Sequence, residues 1–340
     1  MSFKGFGSDN HAGVHPEVLS AIVAANVGHA HAYGDDDWTQ RARAIVAETV
    51  GAEARVEFVW NGTGANVVGL SAVCRPWNSV ICPETAHINN DECGAPEHIA
   101  DVKLVPVVTP DGKLTPELAH PRLKDFGSQH QVQPRVISVS NATELGTAYT
   151  QSELRALSDL AHEHGMLLHV DGARLSNAAV AQGVSIAALT GEAGVDVLSF
   201  GGTKNGLLAG EAVVLMGDAI SEDLPFVRKQ SAQLASKMRF VSCQFESMFG
   251  TDLWRRCAGH ANAMAQRLAS GAQERGVRIA YPMQANEVFA LLPDERIPAL
   301  QERFHFYTWQ VGVEPGMATV RWVCSWDTEE SEVDALVDAL

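Results

Sequence analysis

The chain has 340 residues, 46% of them hydrophobic, and a formal net charge of −16. That is enough apolar material for a sizeable core in about two domains, and the acidic balance argues against nucleic acid or an anionic membrane surface as a partner. No run approaches the roughly 20 apolar residues of a membrane span. The short polar start, residues 1–9, has no apolar signal core, and the six cysteines lack Cys-x-x-Cys spacing, so reduced thiols in a cytoplasmic protein are expected.

Ser8-Asp9-Asn10-His11 reads as an irregular arm, and residues 16–25 as a helix with proline in its first turn. Residues 28–37, rich in glycine, histidine and aspartate, form a loop. His29 and His31 have no third ligand at metal spacing, so no metal is expected. An amphipathic helix follows over 39–50. A buried strand, 56–60, then runs into Asn61-Gly62-Thr63-Gly64-Ala65-Asn66 and an apolar helix, 67–73. Strand, glycine turn and helix start form a phosphate-holding arrangement: free amides point at the anion, the helix dipole favours it, and the Thr63 hydroxyl adds a donor. The lysine of a Walker A loop is absent, which disfavours a nucleoside triphosphate. An ordinary glycine turn is the competing reading.

Strand 79–82 precedes His87, which taken alone is as well explained as a satisfied polar core residue. Strand 102–108 and helix 115–124 come next. His130 lies in a polar loop, and strand 135–140 ends in Asn141-Ala142-Thr143-Glu144-Leu145-Gly146. On helix 151–165, His162 and His164 are two apart and face different sides. The apolar run Met166-Leu167-Leu168 leads into His169-Val170-Asp171-Gly172-Ala173-Arg174, followed by short helices at 175–182 and 186–191. A second apolar run (Val195, Val197, Leu198, Phe200) leads into Gly201-Gly202-Thr203-Lys204-Asn205-Gly206, and strand 212–216 follows.

An aspartate closing one buried strand and a lysine set between glycines after another is the pairing that pyridoxal phosphate needs. The carboxylate keeps the ring nitrogen protonated, and a partly desolvated amine holds the aldehyde carbon. For Lys204 alone, a surface lysine in a glycine loop is the competing reading. The alternation of strands and helices predicts an α/β fold with a mostly parallel sheet covered on both faces. Such sheets bind ligands at the C-terminal ends of their strands, and Gly62, Thr63, His87, Asn141, Asp171 and Lys204 all follow strands. Beyond Gly217 the pattern changes to long helices (220–236, 246–275). Short strands (286–292, 318–323) then alternate with helices (294–303, 328–340), which reads as a smaller α+β domain. Arg321, within a strand, is either a solvent-facing edge residue or a bidentate clamp on a carboxylate.

Seven blocks in order carry a resemblance over nearly the whole chain: Ser8-Asp9-Asn10, Ala32-Tyr33-Gly34-Asp35-Asp36, Asn61 to Asn66, Glu84-Thr85-Ala86-His87, His169 to Arg174, Gly201 to Gly206, and Val320-Arg321-Trp322-Val323. On these the chain resembles the pyridoxal-phosphate-dependent L-threonine aldolases, close to the bacterial low-specificity enzymes. The resemblance implies the aminotransferase-like fold (fold type I): an N-terminal arm, 1–15, contributing to the active site, a large cofactor-binding domain, 16–245, with a mostly parallel seven-stranded sheet, and a small C-terminal domain, 246–340. It implies that Lys204 carries the cofactor, Asp171 pairs with its ring nitrogen, and His87 stacks on the ring. Gly62, Thr63 and Thr203 would hold the phosphate, with Arg239 reaching in from a neighbouring subunit. Ser8, Arg174 and Arg321 would hold the substrate carboxylate, with Tyr33 also at the substrate and Arg174 also near the cofactor. His130 would lie near the substrate hydroxyl. Two departures stand out. Asn-Ala-Thr-Glu-Leu-Gly follows Ser140 where many relatives have Glu-Asn-Thr-His-Asn, which leaves Thr143 and Glu144 without assigned roles, and Gly64 stands where many have glutamine or alanine.

The implied reaction is retro-aldol cleavage of L-threonine, L-allo-threonine and related β-hydroxy-α-amino acids to glycine and an aldehyde, with His87 or His130 as the base. Another fold-type-I reaction on amino acids, β-elimination or transamination, uses the same lysine and aspartate. A cofactor-binding regulatory protein without catalysis is the remaining alternative. The expected assembly is a homotetramer, a dimer of dimers with active sites at the dimer interface.

Overall fold

The computed structural model describes residues 5–340. Seven strands form the main sheet: β1 (Ala54–Val59), β2 (Asn78–Pro83), β3 (Lys103–Val107), β4 (Gln133–Ser140), β5 (Leu167–Gly172), β6 (Val197–Gly201) and β7 (Glu211–Met216). Their order is β1-β7-β6-β5-β4-β2-β3. Only β7 runs antiparallel to its neighbours, β1 and β6; the other pairings are parallel. β2, β5 and β7 are buried along their whole length, as expected of strands covered on both faces.

The helices start where side chains or proline can serve the free backbone amides. Helix α1 (Pro16–Ala25) has proline in its first turn. In α2 (Asp37–Val50) the Asp36 carboxylate accepts the Thr39 amide at 2.8 Å, and Gly51 ends the helix at φ +70°. Helix α3 (Gly62–Val73) starts at the first glycine of its turn, earlier than the predicted 67, because Asn61 caps it by accepting the Gly64 amide at 2.8 Å.

Four expectations are corrected. The predicted helix 220–236 shrinks to Leu224–Gln230, and the segment after it is pulled against α3, where Gln233 accepts the Trp60 amide at 3.0 Å. The predicted helix 246–275 is two helices, Arg239–Phe249 and Leu253–Glu274. Thr251 breaks it, donating to the Ser247 carbonyl at 2.8 Å and accepting the Leu253 amide at 3.2 Å. The small sheet has four antiparallel strands rather than two: β8 (Arg278–Ile279), β9 (Glu287–Pro293), β10 (Tyr307–Glu314) and β11 (Met317–Val323), in order β10-β11-β9-β8. β10 is largely exposed and β8 is two residues long, so neither shows an apolar pattern. Arg321 lies on β11, inside the sheet between β10 and β9, and is not an edge residue.

The small sheet has its own core, built on Trp322, Val320, Leu268 and Phe6. Phe6 belongs to the N-terminal arm. Its amide donates to the His305 carbonyl at 2.7 Å, and its carbonyl accepts the Val323 amide at 2.8 Å. The arm is thus anchored to the small domain, and its next residues reach towards the ends of the large sheet. All six cysteines are free thiols, and five are buried. No helix among the described residues is long and apolar enough to cross a membrane.

Candidate active site

The C-terminal ends of β1, β4, β5 and β6 open on a cavity of about 250 Å³. Asp171 and Lys204 both line it because β5 and β6 are parallel neighbours, with Asp171 level with Ser199. Glycine permits the close approach of their ends. A Cβ on Gly201 would lie 2.5 Å from the Ala173 Cα, and one on Gly172 would lie 3.0 Å from the Ser199 carbonyl.

Asp171 accepts from Asn66 at 2.8 Å and from the Ala173 amide at 3.0 Å. Burial alone would raise its pKa, but the Asn66 hydrogen bond and the charges of His87 and Lys204 hold the carboxyl below its ordinary range. Asn66 also donates to Glu92 at 2.7 Å, and Glu92 bonds His87 Nδ1 at 2.8 Å. That bond raises the His87 pKa against the effect of burial. His87, Glu92 and Asp171 lie close enough together to hold a cation, but Asn66 already donates to both carboxylates and accounts for the closeness. Next to Asp171 on β5, His169 is fully buried between Ser138 (2.8 Å) and Ser199 (3.1 Å), and burial pushes its pKa down to about 4.

On the substrate side, Arg174 forms a two-pronged pair with Asp9 of the arm, at 2.7 and 3.0 Å. Asn286 also donates to Asp9, at 3.2 Å. Buried Glu287 lies 3.5 Å from Arg174 and 3.7 Å from Arg321, and Arg321 donates to the Gly7 carbonyl at 3.1 Å. Ser8 caps the short turn behind Asn10. Arg174 lines the cavity; Ser8 and Arg321 do not, and reach it only through their neighbours Asn10 and, by way of Glu287, Arg174.

On the other side, Gly62 and Thr63 of α3 face Thr203 across the cavity. The first amides of a helix have no intrahelical acceptor, and Asn61 satisfies only that of Gly64. Glu144 accepts from Ser140 at 2.5 Å and from the His87 amide at 2.9 Å, and burial raises its pKa. The side chain at the position where the sequence departs from its relatives therefore turns back to hold the His87 backbone.

Of the residues singled out in the sequence, Lys204, Asp171, His87, Gly62, Thr63, Thr203 and Arg174 line one cavity. Tyr33, His130 and Arg239 do not. Tyr33 is half-exposed, with the Lys229 ammonium over its ring, and His130 lies on an exposed loop. Arg239 donates to the Val27 carbonyl at 3.0 Å and lies over Trp38 and Phe240. Sequence reasoning gave no role to Asn66, Glu92, Asp9 or Glu211. The first three stand inside or beside the matched blocks; only their spatial convergence gives them a function.

The sequence profile of the family described as Beta-eliminating lyase matches residues 5–295. Low specificity L-threonine aldolases of Pseudomonas sp. and Pseudomonas aeruginosa are 43% and 44% identical over 334 residues, covering 97% of this chain and 95% of each relative. The chain belongs to the threonine aldolase family. A Leishmania major threonine aldolase structure superposes on this family member with a TM-score of 0.93 at 32% identity, covering 98% of both chains. A Sphingomonas wittichii serine palmitoyltransferase, 17% identical with a TM-score of 0.73, shares the fold.

The donor set of this threonine aldolase fits pyridoxal phosphate. It offers an amine, an ionised carboxylate held by Asn66, an imidazole beside both, and a helix N-terminus with unspent amides, all on one cavity.

Proposed function

We propose that the chain cleaves L-threonine, L-allo-threonine and related β-hydroxy-α-amino acids to glycine and an aldehyde. The observation that carries this is the meeting of Lys204, Asp171, His87 and Arg174 in one cavity of a threonine aldolase family member.

Pyridoxal phosphate, when bound, supplies an electron sink for the breaking Cα–Cβ bond. Lys204 is its anchor and Asp171 the partner of its ring nitrogen. Gly62, Thr63 and Thr203 hold its phosphate. Arg174 and Arg321 receive the substrate carboxylate, and the orientation they impose selects which Cα bond is aligned for cleavage. Asp9 and Glu287 neutralise the two guanidiniums before substrate arrives, so neither arginine is a bare buried charge. The β-hydroxyl proton passes to a neutral histidine within hydrogen-bond reach. His87 suits this role: its Nδ1 is committed to Glu92, which leaves Nε2 for the substrate. His130 reaches a site only in an assembly that brings its loop to another subunit.

The reading extends to organisation. Residues 5–15 act as the arm, the first four residues of the expected 1–15 lying outside the described residues, with 16–245 as the cofactor domain and 246–340 as the small domain, in a cytoplasmic homotetramer built as a dimer of dimers. Supporting this, Tyr33 and His130 are exposed and Arg239 is half-buried, all three lie outside their own chain's cavity, and Trp60, which lines it, is 45% exposed.

The test is an absorbance spectrum of the purified protein with pyridoxal phosphate, with L-threonine as substrate and acetaldehyde and 2-oxobutyrate both assayed. The expected outcome is a visible band and acetaldehyde, with Lys204→Ala losing the band and at least about a thousandfold in turnover. The family description favours β-elimination as the second reading; 2-oxobutyrate in place of acetaldehyde would establish it. A Lys204→Ala variant that still turned over would remove the assignment.

A further inference from the structure

Glu211 places a carboxyl at the base of the cup that would take the phosphate. It is the first residue of β7, level with Val59 of β1 on one side and Gly201 of β6 on the other. Those are the strands whose ends carry Gly62-Thr63 and Thr203. Glu211 is 6% exposed and lines the cavity. Its Oε2 accepts the Gly202 amide at 2.7 Å, while the Thr203 hydroxyl is tied to Gly210, at 3.3 Å to its carbonyl and 3.2 Å from its amide. Two donors at the end of β6 are thus already engaged, one by a side chain that would be an anion when ionised.

Within the single chain, the surroundings offer little to neutralise a second anion. From the turn after β6, Lys204 is the charged group that acts on Glu211. From the end of β1 and the start of α3, Val59 to Asn66, no side chain is charged. The helix Arg239–Phe249 packs Val241 and Phe245 against neighbouring Gly210 and presents neutral Gln244 to Leu208 and Ala209. Across the cavity stand Asp171 and Glu144 as well as His87 and Arg174. A phosphate entering beside an ionised Glu211 would repel it in a poorly solvated cup; a neutral carboxylic acid is instead a donor.

We propose that Glu211 is part of the cofactor's phosphate site and enters the complex as the neutral acid, donating its O–H to a phosphate oxygen, so that cofactor binding takes up one proton at this residue. The proposal rests on the pyridoxal phosphate reading above. The free chain is already prepared for it. Burial pushes the Glu211 pKa up to about 7, against the hydrogen bond from Gly202 and the charge of Lys204. The carboxyl is therefore mostly ionised at about pH 8 and mostly protonated at about pH 6.

The experiment is isothermal titration of the apoprotein with pyridoxal phosphate, in buffers of different ionisation enthalpy, for the wild type and Glu211→Gln. The glutamine copies the neutral acid as a donor. The expected result is about one more proton taken up by the wild type than by the variant at about pH 8, with the excess gone by about pH 5.5. Wild-type affinity should fall up to about tenfold per pH unit above pH 7 relative to the variant. Equal proton uptake across the range would overturn the proposal. So would a variant that binds far more weakly than wild type at low pH, where both are neutral. Should the variant fail to fold, infrared difference spectra of the wild type decide. Pyridoxal phosphate at about pH 8 should produce a new protonated-carboxyl band, and pyridoxal, which lacks the phosphate, should not; the same spectrum from both would overturn the proposal. Failure of the wild type to bind pyridoxal phosphate at all would instead remove the cofactor reading beneath it.

Discussion

Asn66 lets two carboxylates share the floor of one cavity. Its amide donates to Asp171 and to Glu92, and Glu92 in turn fixes His87. The Asp171 carboxylate and the one that sets the histidine are thus tied through a single amide. This link makes a kinetic prediction. Glu92 raises the His87 pKa, and a histidine acting as base works only when neutral, so the acid limb of kcat/KM lies higher than an isolated imidazole would place it. Glu92→Gln removes the charge and keeps the shape. The limb should move to lower pH, read from a pH–rate profile; a limb that stays put means that another group titrates there. His169 makes the stability counterpart. Its folded pKa is depressed by burial to about 4, so the stability held by the neutral ring is complete above the unfolded value near 6.5 and is lost as pH falls towards 4. His169→Gln should lose less stability than wild type between pH 7 and pH 5, by about 2 kcal/mol, measured as the change in urea midpoint with pH. Equal losses would mean that the ring is not kept neutral by the fold.

At the level of elements, the site depends on how closely the ends of β5 and β6 approach. Gly201→Ala would put a methyl 2.5 Å from the Ala173 Cα, and backbone cannot rotate out of the way. The expected cost is about 1–3 kcal/mol, and the strand ends should part enough to separate Asp171 from Lys204. Thermal unfolding with and without pyridoxal phosphate checks this: the variant should lose both stability and most of the shift that the cofactor gives the wild type. These same strands were legible in the sequence because burial on both faces writes them as mostly apolar runs, broken only by His169 and Ser199, that lead to Asp171 and Gly201. β10 was not, because most of its side chains are exposed and it is paired through its backbone to β11. The break at Thr251 was hidden for a related reason, since one threonine side chain bonding the backbone in both directions leaves no trace in the helical periodicity on either side. Glu211 was missed because a glutamate at the start of an apolar strand looks like a boundary residue. Only the register with Val59 and Gly201 puts it in the cup.

At the level of the whole molecule, the single chain leaves its own site unfinished on the expected reading. Arg239 is half-buried and stacked over Trp38 and Phe240, outside the cavity that Gly62, Thr63 and Thr203 line. A cation in that position can neutralise a bound phosphate only if a second copy brings it to the cavity. The prediction is complementation. Arg239→Ala should weaken cofactor affinity, and Lys204→Ala should abolish turnover, each when made in every subunit. Mixing the two variants under conditions that allow subunits to exchange creates a mixed pair. One of its two sites has Lys204 from one chain and Arg239 from the other, and is complete; the remaining site carries both defects. Random pairing gives half mixed pairs with one good site each, so activity at limiting pyridoxal phosphate should recover to about a quarter of wild type. If Arg239 served the cavity of its own chain, every site with an intact lysine would still lack its arginine, and mixing would give no more than the average of the two separate variants. Recovery above that average therefore tests both the symmetry of the assembly and the side of the interface from which the phosphate receives its positive charge.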